Sequence, residues 1–279
     1  RHLEIDRLEE RVAKSLVKTR VRHHRRVRID VPQRVDLPAL AVDLTDIAHA
    51  RFNKTKIHVR LPRVFRQHVA IFQPLVARLV ELCLQAGAKS VAIFDNTCDQ
   101  WQRCYANSGI EKAARDAGAR VVNGKDESLY RETPIPHGVK LKSAKVHELV
   151  LDSDVFINVP VLKHHGGAQM SSAMKNLMGC VWDRGVYHNV DLQQTIADFL
   201  TLRKPDLNIV DAYHPMVRNG PRGKSVEDCV EMKRLLASTD PVLIDTACTK
   251  LLGYTPEKVI HVKIGADLRL GTTDLSAAE

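Results

Sequence analysis

Asp154-Val155-Phe156-Ile157-Asn158-Val159-Pro160-Val161-Leu162-Lys163-His164-His165-Gly166-Gly167 is the stretch on which the reading of this chain turns. Its apolar run is too continuous for a strand with one wet face. It reads as a strand buried on both faces, the kind found inside a parallel sheet covered by helices. The run delivers Lys163, His164 and His165 into a polar, glycine-containing loop. A helix-like segment with Lys175 and Asn176 follows, then Gly179, Cys180 and His188. Strand, polar loop, helix is the order in which open α/β sheets build ligand sites, because loops and helix N-termini gather donors at the carboxyl ends of the strands.

The neighbouring sequence repeats the alternation. Upstream, residues 57–61 read as a strand ended by Pro62, and residues 68–85 carry Val69, Phe72, Val76, Leu79, Val80 and Cys83 at helical spacing until Gly87. Residues 91–94 form a short buried strand with a polar end, Asp95-Asn96-Thr97; residues 109–117 read as a helix and 120–122 as a strand. Downstream, residues 190–200 are amphipathic, and 207–211 form a strand that delivers Asp211. Residues 219–223 are a tight loop holding Gly220-Pro221, and 235–238 are another strand. Asp240 then caps a helix through Leu252, with Asp245 one turn inside it. The expected fold class is α/β: a mostly parallel sheet with helices on both faces and right-handed crossovers. Residues 127–145, with their prolines and polar turns, read as a hairpin or a linker. The chain thus divides into a basic segment, 1–55, and an α/β domain, 56–279; two packed halves meeting near 127–145 are the alternative to a single unit.

With 279 residues and 44% hydrophobic content the chain can bury a full core. No run approaches the roughly 18 apolar residues that a membrane span needs, and no apolar stretch follows Arg25-Arg26 as a twin-arginine signal would require. Six cysteines, at 83, 98, 104, 180, 229 and 248, show no C-x-x-C spacing, so a built-in ferredoxin-type iron–sulfur motif or a zinc ribbon is not expected. A reducing, cytoplasmic location is expected, with an export signal removed ahead of Arg1 as the alternative. Cys180, beside the cluster, is a candidate reactive thiol. Residues 1–66 hold 17 Lys and Arg against 8 Asp and Glu, which accounts for the whole net charge of +9. Residues 20–28 offer a basic surface to nucleic acid, an acidic partner or a membrane, but residues 1–51 contain no aromatic side chain to stack on bases. A solvated arm peripheral to the chemistry is favoured over nucleic-acid binding.

Taken together, Asn158-Val159-Pro160-Val161-Leu162-Lys163-His164, Lys175-Asn176-Leu177-Met178-Gly179, His188, Lys204-Pro205-Asp206-Leu207 with Val210-Asp211, Gly220-Pro221, and Asp240-Pro241-Val242-Leu243-Ile244-Asp245 resemble the domain-of-unknown-function family numbered 362. The resemblance runs from about Phe72 to the C-terminus. The early strand departs from the family's polar, Asn-containing turn, reading Arg60-Leu61-Pro62-Arg63 instead. Many members carry a ferredoxin module beside this domain, so the resemblance implies a redox-linked setting. It also implies an iron–sulfur electron carrier as partner, here supplied by another protein.

The chemistry follows from residue types. Lys163 and Lys175 suit a small anionic ligand, a carboxylate or phosphate, with Asn176, Asp211 and Gly220 completing the substrate-binding set. His164 and His188 are the candidate catalytic residues, because imidazole exchanges protons near neutral pH. The rival use is a metal: His164 and His188 with Asp211 or Asp245 would make a mixed N/O site suited to zinc, iron or nickel. Each residue also has a structural reading, as solvated surface for the lysines and histidines and as a strand-end acceptor for Asp211. An enzyme acting on a small anion and a non-catalytic ligand-binding or sensing module are the two function classes left open.

Overall fold

Val155 and Ile157 face one hydrophobic layer and Phe156 the other, so the strand that contains them is covered on both sides. That is the period-2 consequence of a central strand, and it explains why this stretch shows no polar alternation. The computed structural model describes residues 56–60 and 69–277; the basic segment 1–55, residues 61–68 and residues 278–279 lie outside the described residues.

In chain order the elements are β1 (Lys56–Arg60), α1 (Val69–Gln85), β2 (Ser90–Phe94), α2 (Trp101–Ser108), α3 (Ile110–Asp116) and β3 (Arg120–Val121). A hairpin of β4 (Tyr130–Pro134) and β5 (Ser143–His147) leads to α4 (Glu148–Asp152), β6 (Val155–Asn158), β7 (Val161–His165) and β8 (Gln169–Ser171). Then come α5 (Ala173–Asn176), α6 (Gly185–Val190), α7 (Leu192–Leu202), β9 (Leu207–Met216), β10 (Arg234–Ser238), α8 (Pro241–Leu251) and α9 (Ile260–Asp267).

The main sheet runs β3-β2-β1-β6-β9-β7-β8, with β10 also paired to β9. Pairings from β3 through β7 are parallel, whereas β8 runs antiparallel to β7 and β10 antiparallel to β9. The sheet is therefore mixed: five of its pairings are parallel, in line with the expectation, and the two antiparallel ones, β8 on β7 and β10 on β9, make it only partly parallel. The link from β7 to β8 is too short for a crossover, and no helix long enough for one separates β9 from β10, so each returns antiparallel. The apolar run also holds two strands, not one: Val159-Pro160 separates β6 from β7, and Pro160 has no N–H to give a ladder. As a result Lys163, His164 and His165 stand on a strand, where a loop was expected. The stretch read as a hairpin or a linker holds the β4–β5 hairpin, residues 130–147, and β1, before it, pairs with β6, after it.

One core layer packs α1, α2 and α3 against Val91, Ile93, Val155, Ile157, Leu207 and Ile209. The opposite layer packs α5, α7, α8 and α9 against Phe94, Phe156, Val210, Ala212 and Leu236. Among the described residues no helix is long and apolar enough to cross a membrane.

Candidate functional site

A single turn of helix such as α5 has no stability of its own, since nucleating a helix fixes several residues for one hydrogen bond. Tertiary polar contacts hold it at both ends. At its start, fully buried Asp245 on α8 accepts the N–H groups of Ala173 at 2.7 Å and Met174 at 3.0 Å. At its end, Asn176 Nδ2 donates to Asn158 Oδ1 at 2.8 Å. Asn158 Nδ2 in turn donates to the Ala173 carbonyl and to Asn208 Oδ1, both at 2.9 Å, and Asn208 Nδ2 reaches the Ser238 carbonyl at 3.2 Å. Asn158 and Asn208 are completely buried, and each unmet polar group there would cost about 1–3 kcal/mol. This asparagine ladder across β6, β9 and β10 places Lys175 at the carboxyl ends of the parallel strands.

Beside it opens a cavity of about 330 Å³, lined by Asp95, Asn96 and Cys98 after β2, by Lys163, His165 and Ser171 on β7 and β8, and by Lys175 and Asn176 on α5. Met178, Gly179, Arg184, Gly185, His188 and Pro221 complete the wall. Strand alternation selects which residues of β7 take part: Lys163 and His165 share a face with Ser171, the register partner of Lys163, while His164 lies on the other. Lys163 is buried and Lys175 half-buried, with Lys175 Nζ donating to Met178 Sδ at 3.3 Å. Arg184 Nη1 donates to Cys98 Sγ at 2.9 Å, and its Nη2 donates to the Thr97 carbonyl at 3.2 Å. Asn96 is 1% exposed; its Nδ2 donates to the carbonyls of Val181 and Trp182 at 2.8 and 3.1 Å, tying the end of β2 to the segment that leads into α6.

The field in this cavity is positive. Burial, reinforced by Lys175, Lys163, His188 and His164, pushes His165 down to about 3. Desolvation at the rim, then Lys175 and Arg184, hold His188 below the usual imidazole range. Asp95 is the one carboxylate among the lining residues.

The expected site is thus brought together in part. Lys163, Lys175, Asn176 and His188 line the cavity, and Asn176 gives one of its two amide N–H groups to the ladder. His164 is not among the lining residues: its Nδ1 accepts the Gly220 N–H at 3.0 Å, so it fastens the Gly220-Pro221 loop. Gly220 contributes closeness, because a Cβ there would sit 1.8 Å from the His164 carbonyl oxygen; its neighbour Pro221 is what reaches the cavity. Asp211 pairs in register with Val161 and turns its carboxylate to the Tyr213 N–H at 2.9 Å, outside the lining. Asp245 is sealed behind α5, where burial raises it to about 7. The proposed N/O metal set of His164, His188, Asp211 and Asp245 is therefore not assembled, and among the described residues no three His, Cys, Asp or Glu side chains gather as one. Cys180 is completely buried in the core, while Cys98 is the exposed thiol on the cavity wall. The sequence reading missed Arg184, Asp95, Asn96, Cys98 and the role of His165; the polar strand end 95–97 and a two-residue step from Lys163 were the signals available.

Residues 56–250 match the family model described as Domain of unknown function (DUF362), and the chain belongs to that family. The match begins earlier than the resemblance to the family had indicated and takes in β1. A thylakoid-associated protein of Synechocystis is 30% identical over 135 residues, covering 46% of this chain and 40% of that protein, so the chain spans less than half of this curated relative. Two solved structures align at low identity. The lactate racemase apoprotein of Thermoanaerobacterium thermosaccharolyticum is 12% identical with a TM-score of 0.44, over 87% of this chain and 54% of that one. A Thermotoga maritima protein is 11% identical with a TM-score of 0.45, over 80% and 57%.

Proposed function

We propose that this DUF362 protein is an enzyme that binds a small carboxylate or phosphate in the cavity beside α5 and moves a proton on it with His188. The observation that carries this reading is the convergence of Lys163, Lys175 and Arg184 on one cavity of about 330 Å³ against a single carboxylate. That volume suits a small molecule. Cations held in a partly desolvated wall bind anions more strongly than exposed ones do, since the pocket excludes the water that would screen them. His188, held below the usual imidazole range at the rim, is neutral at physiological pH. It can take a proton from a ligand fixed by the cations and pass it to solvent. To this reading we add a redox-linked setting with an iron–sulfur electron carrier as partner, which rests on the family resemblance alone.

Calorimetric titration with inorganic phosphate tests the reading. Lys175→Met keeps the length of the side chain and removes its charge, so affinity should fall roughly ten- to a hundredfold, the loss of one charge-assisted hydrogen bond. The melting temperature should stay the same or rise slightly, because repulsion with Lys163 is relieved. Lost stability with unaltered affinity would make Lys175 structural and defeat the site as drawn.

A further inference from the structure

The hairpin between β7 and β8 fixes the proton of His165 through backbone groups alone. His165 Nδ1 faces the N–H groups of Gly167 at 3.1 Å and Ala168 at 3.0 Å. Both are obligate donors, so Nδ1 carries a lone pair and the ring proton is on Nε2. A proton on Nδ1 would point at two other N–H groups. The imidazolium and the opposite tautomer are both therefore disfavoured, and Nε2 cannot act as a base without one of them.

Gln193, on α7, holds that loop in place. Its Nε2 donates to the Gly167 carbonyl at 3.1 Å, while its Oε1 accepts the His261 backbone N–H at 3.2 Å and lies 3.0 Å from His261 Nδ1. A backbone carbonyl on one side and a backbone N–H on the other leave one orientation for this amide. That orientation makes His261 an Nδ1–H tautomer and ties α9 to the hairpin. The titratable groups acting on His165 are all basic: Lys163 and His164 on its own strand, Lys175 on α5 and His188 on α6. Buried His261 on α9 lies within the influence of Lys175 and His165 in the same way.

We propose that Gln193 is a positioning residue which, through Gly167, locks His165 as a neutral Nε2–H donor that orients the bound anion and takes no part in moving protons. This rests on the anion reading of the cavity, and it divides the labour there: His188 exchanges protons and His165 supplies a fixed dipole. Long-range proton–nitrogen correlation spectra of the imidazoles in ligand-free protein test the lock without any ligand. The signal that disappears in His165→Gln should show the Nε2–H pattern, unchanged from pH 8 to pH 5. In Gln193→Leu the same signal should show mixed tautomers or begin to titrate. Inorganic phosphate should bind roughly three- to tenfold more weakly, the range expected for misplacing one hydrogen bond. The titration of His188 should not move. If the leucine variant does not fold, Gln193→Met keeps the length of the side chain, adds no charge and removes the donor to Gly167, so the tautomer readout remains. A wild-type His165 that protonates between pH 8 and pH 5 would overturn the proposal. So would a folded Gln193 variant with both tautomer and phosphate affinity unchanged. A locked tautomer in a wild-type protein that fails to bind phosphate would defeat the anion reading and leave the lock standing.

Discussion

Replacing Gly220 with alanine should damage the cavity without touching a residue that carries charge. The added Cβ would lie 1.8 Å from the His164 carbonyl oxygen and 2.7 Å from its carbon. Ordinary contact begins near 3.4 Å, so the loop must retreat by about 1.5 Å or β7 must bend, and packed backbone yields little. Either movement breaks two hydrogen bonds: Gly220 N–H to His164 Nδ1 at 3.0 Å, and Gly166 N–H to the Gly220 carbonyl at 3.1 Å. Two such bonds contribute about 1–3 kcal/mol, and overpacking strain brings the expected loss to about 2–4 kcal/mol. For a chain of this size that is roughly a 5–15 °C fall in melting temperature. Because Pro221 is part of the wall, phosphate affinity should fall as well. Gly166→Ala is the control. Its Cβ would meet nothing closer than the Gly220 carbonyl at 3.8 Å, so stability should change by no more than about 0.5 kcal/mol. Urea melts and calorimetry on the two variants decide the point: a Gly220→Ala protein as stable and as tight-binding as Gly166→Ala would refute the close-approach argument.

Asp228 draws the Lys224 N–H, the Asn219 amide, the Ser225 N–H and Arg218 onto one carboxylate, which holds it well below the usual carboxylate range. Asp228→Asn should therefore loosen the loop, and trypsin should cut at Arg218, Arg222 or Lys224 several-fold faster; an unchanged cleavage rate counts against this anchor. Two buried groups should give opposite pH slopes. Asp245 keeps its proton up to about 7 when folded but loses it near 3.8 when unfolded, so its contribution to stability falls as pH rises through that window. His261 stays neutral down to about 3 when folded but takes a proton below 6.5 when unfolded, so its contribution falls as pH drops from 6.5. Melts of Asp245→Asn and His261→Gln between pH 4 and pH 7 should each remove one slope, and a variant with the wild-type slope would refute its assignment. A maleimide should label exposed Cys98 well before buried Cys83, Cys180 or Cys248, and saturating phosphate should slow that labelling. Labelling indifferent to phosphate would separate Cys98 from the anion site.

What the sequence determined by itself was local. Continuous apolarity in 155–162 required strand buried on both faces, Asp240 before Pro241 required a helix start, and both formed. The order of spaced motifs was enough for the family. That Lys163, Lys175 and His188 would line one cavity was legible because charged groups directly after buried segments stand at the sheet's carboxyl edge. Only the tertiary structure could decide what depends on register and on contacts distant in sequence. A step of one residue along β7 separates His165, in the cavity, from His164, behind it, and nothing in the pair His164-His165 reveals that phase. Asp245 looked like a ligand until α5 was seen to place two N–H groups on it. Arg184 became part of the site only because the asparagine contact from Asn96 draws its segment across the end of β2, eighty-odd residues away in the chain. Composition and periodicity record what each segment buries, whereas the partners of a buried polar group are set by which segments meet.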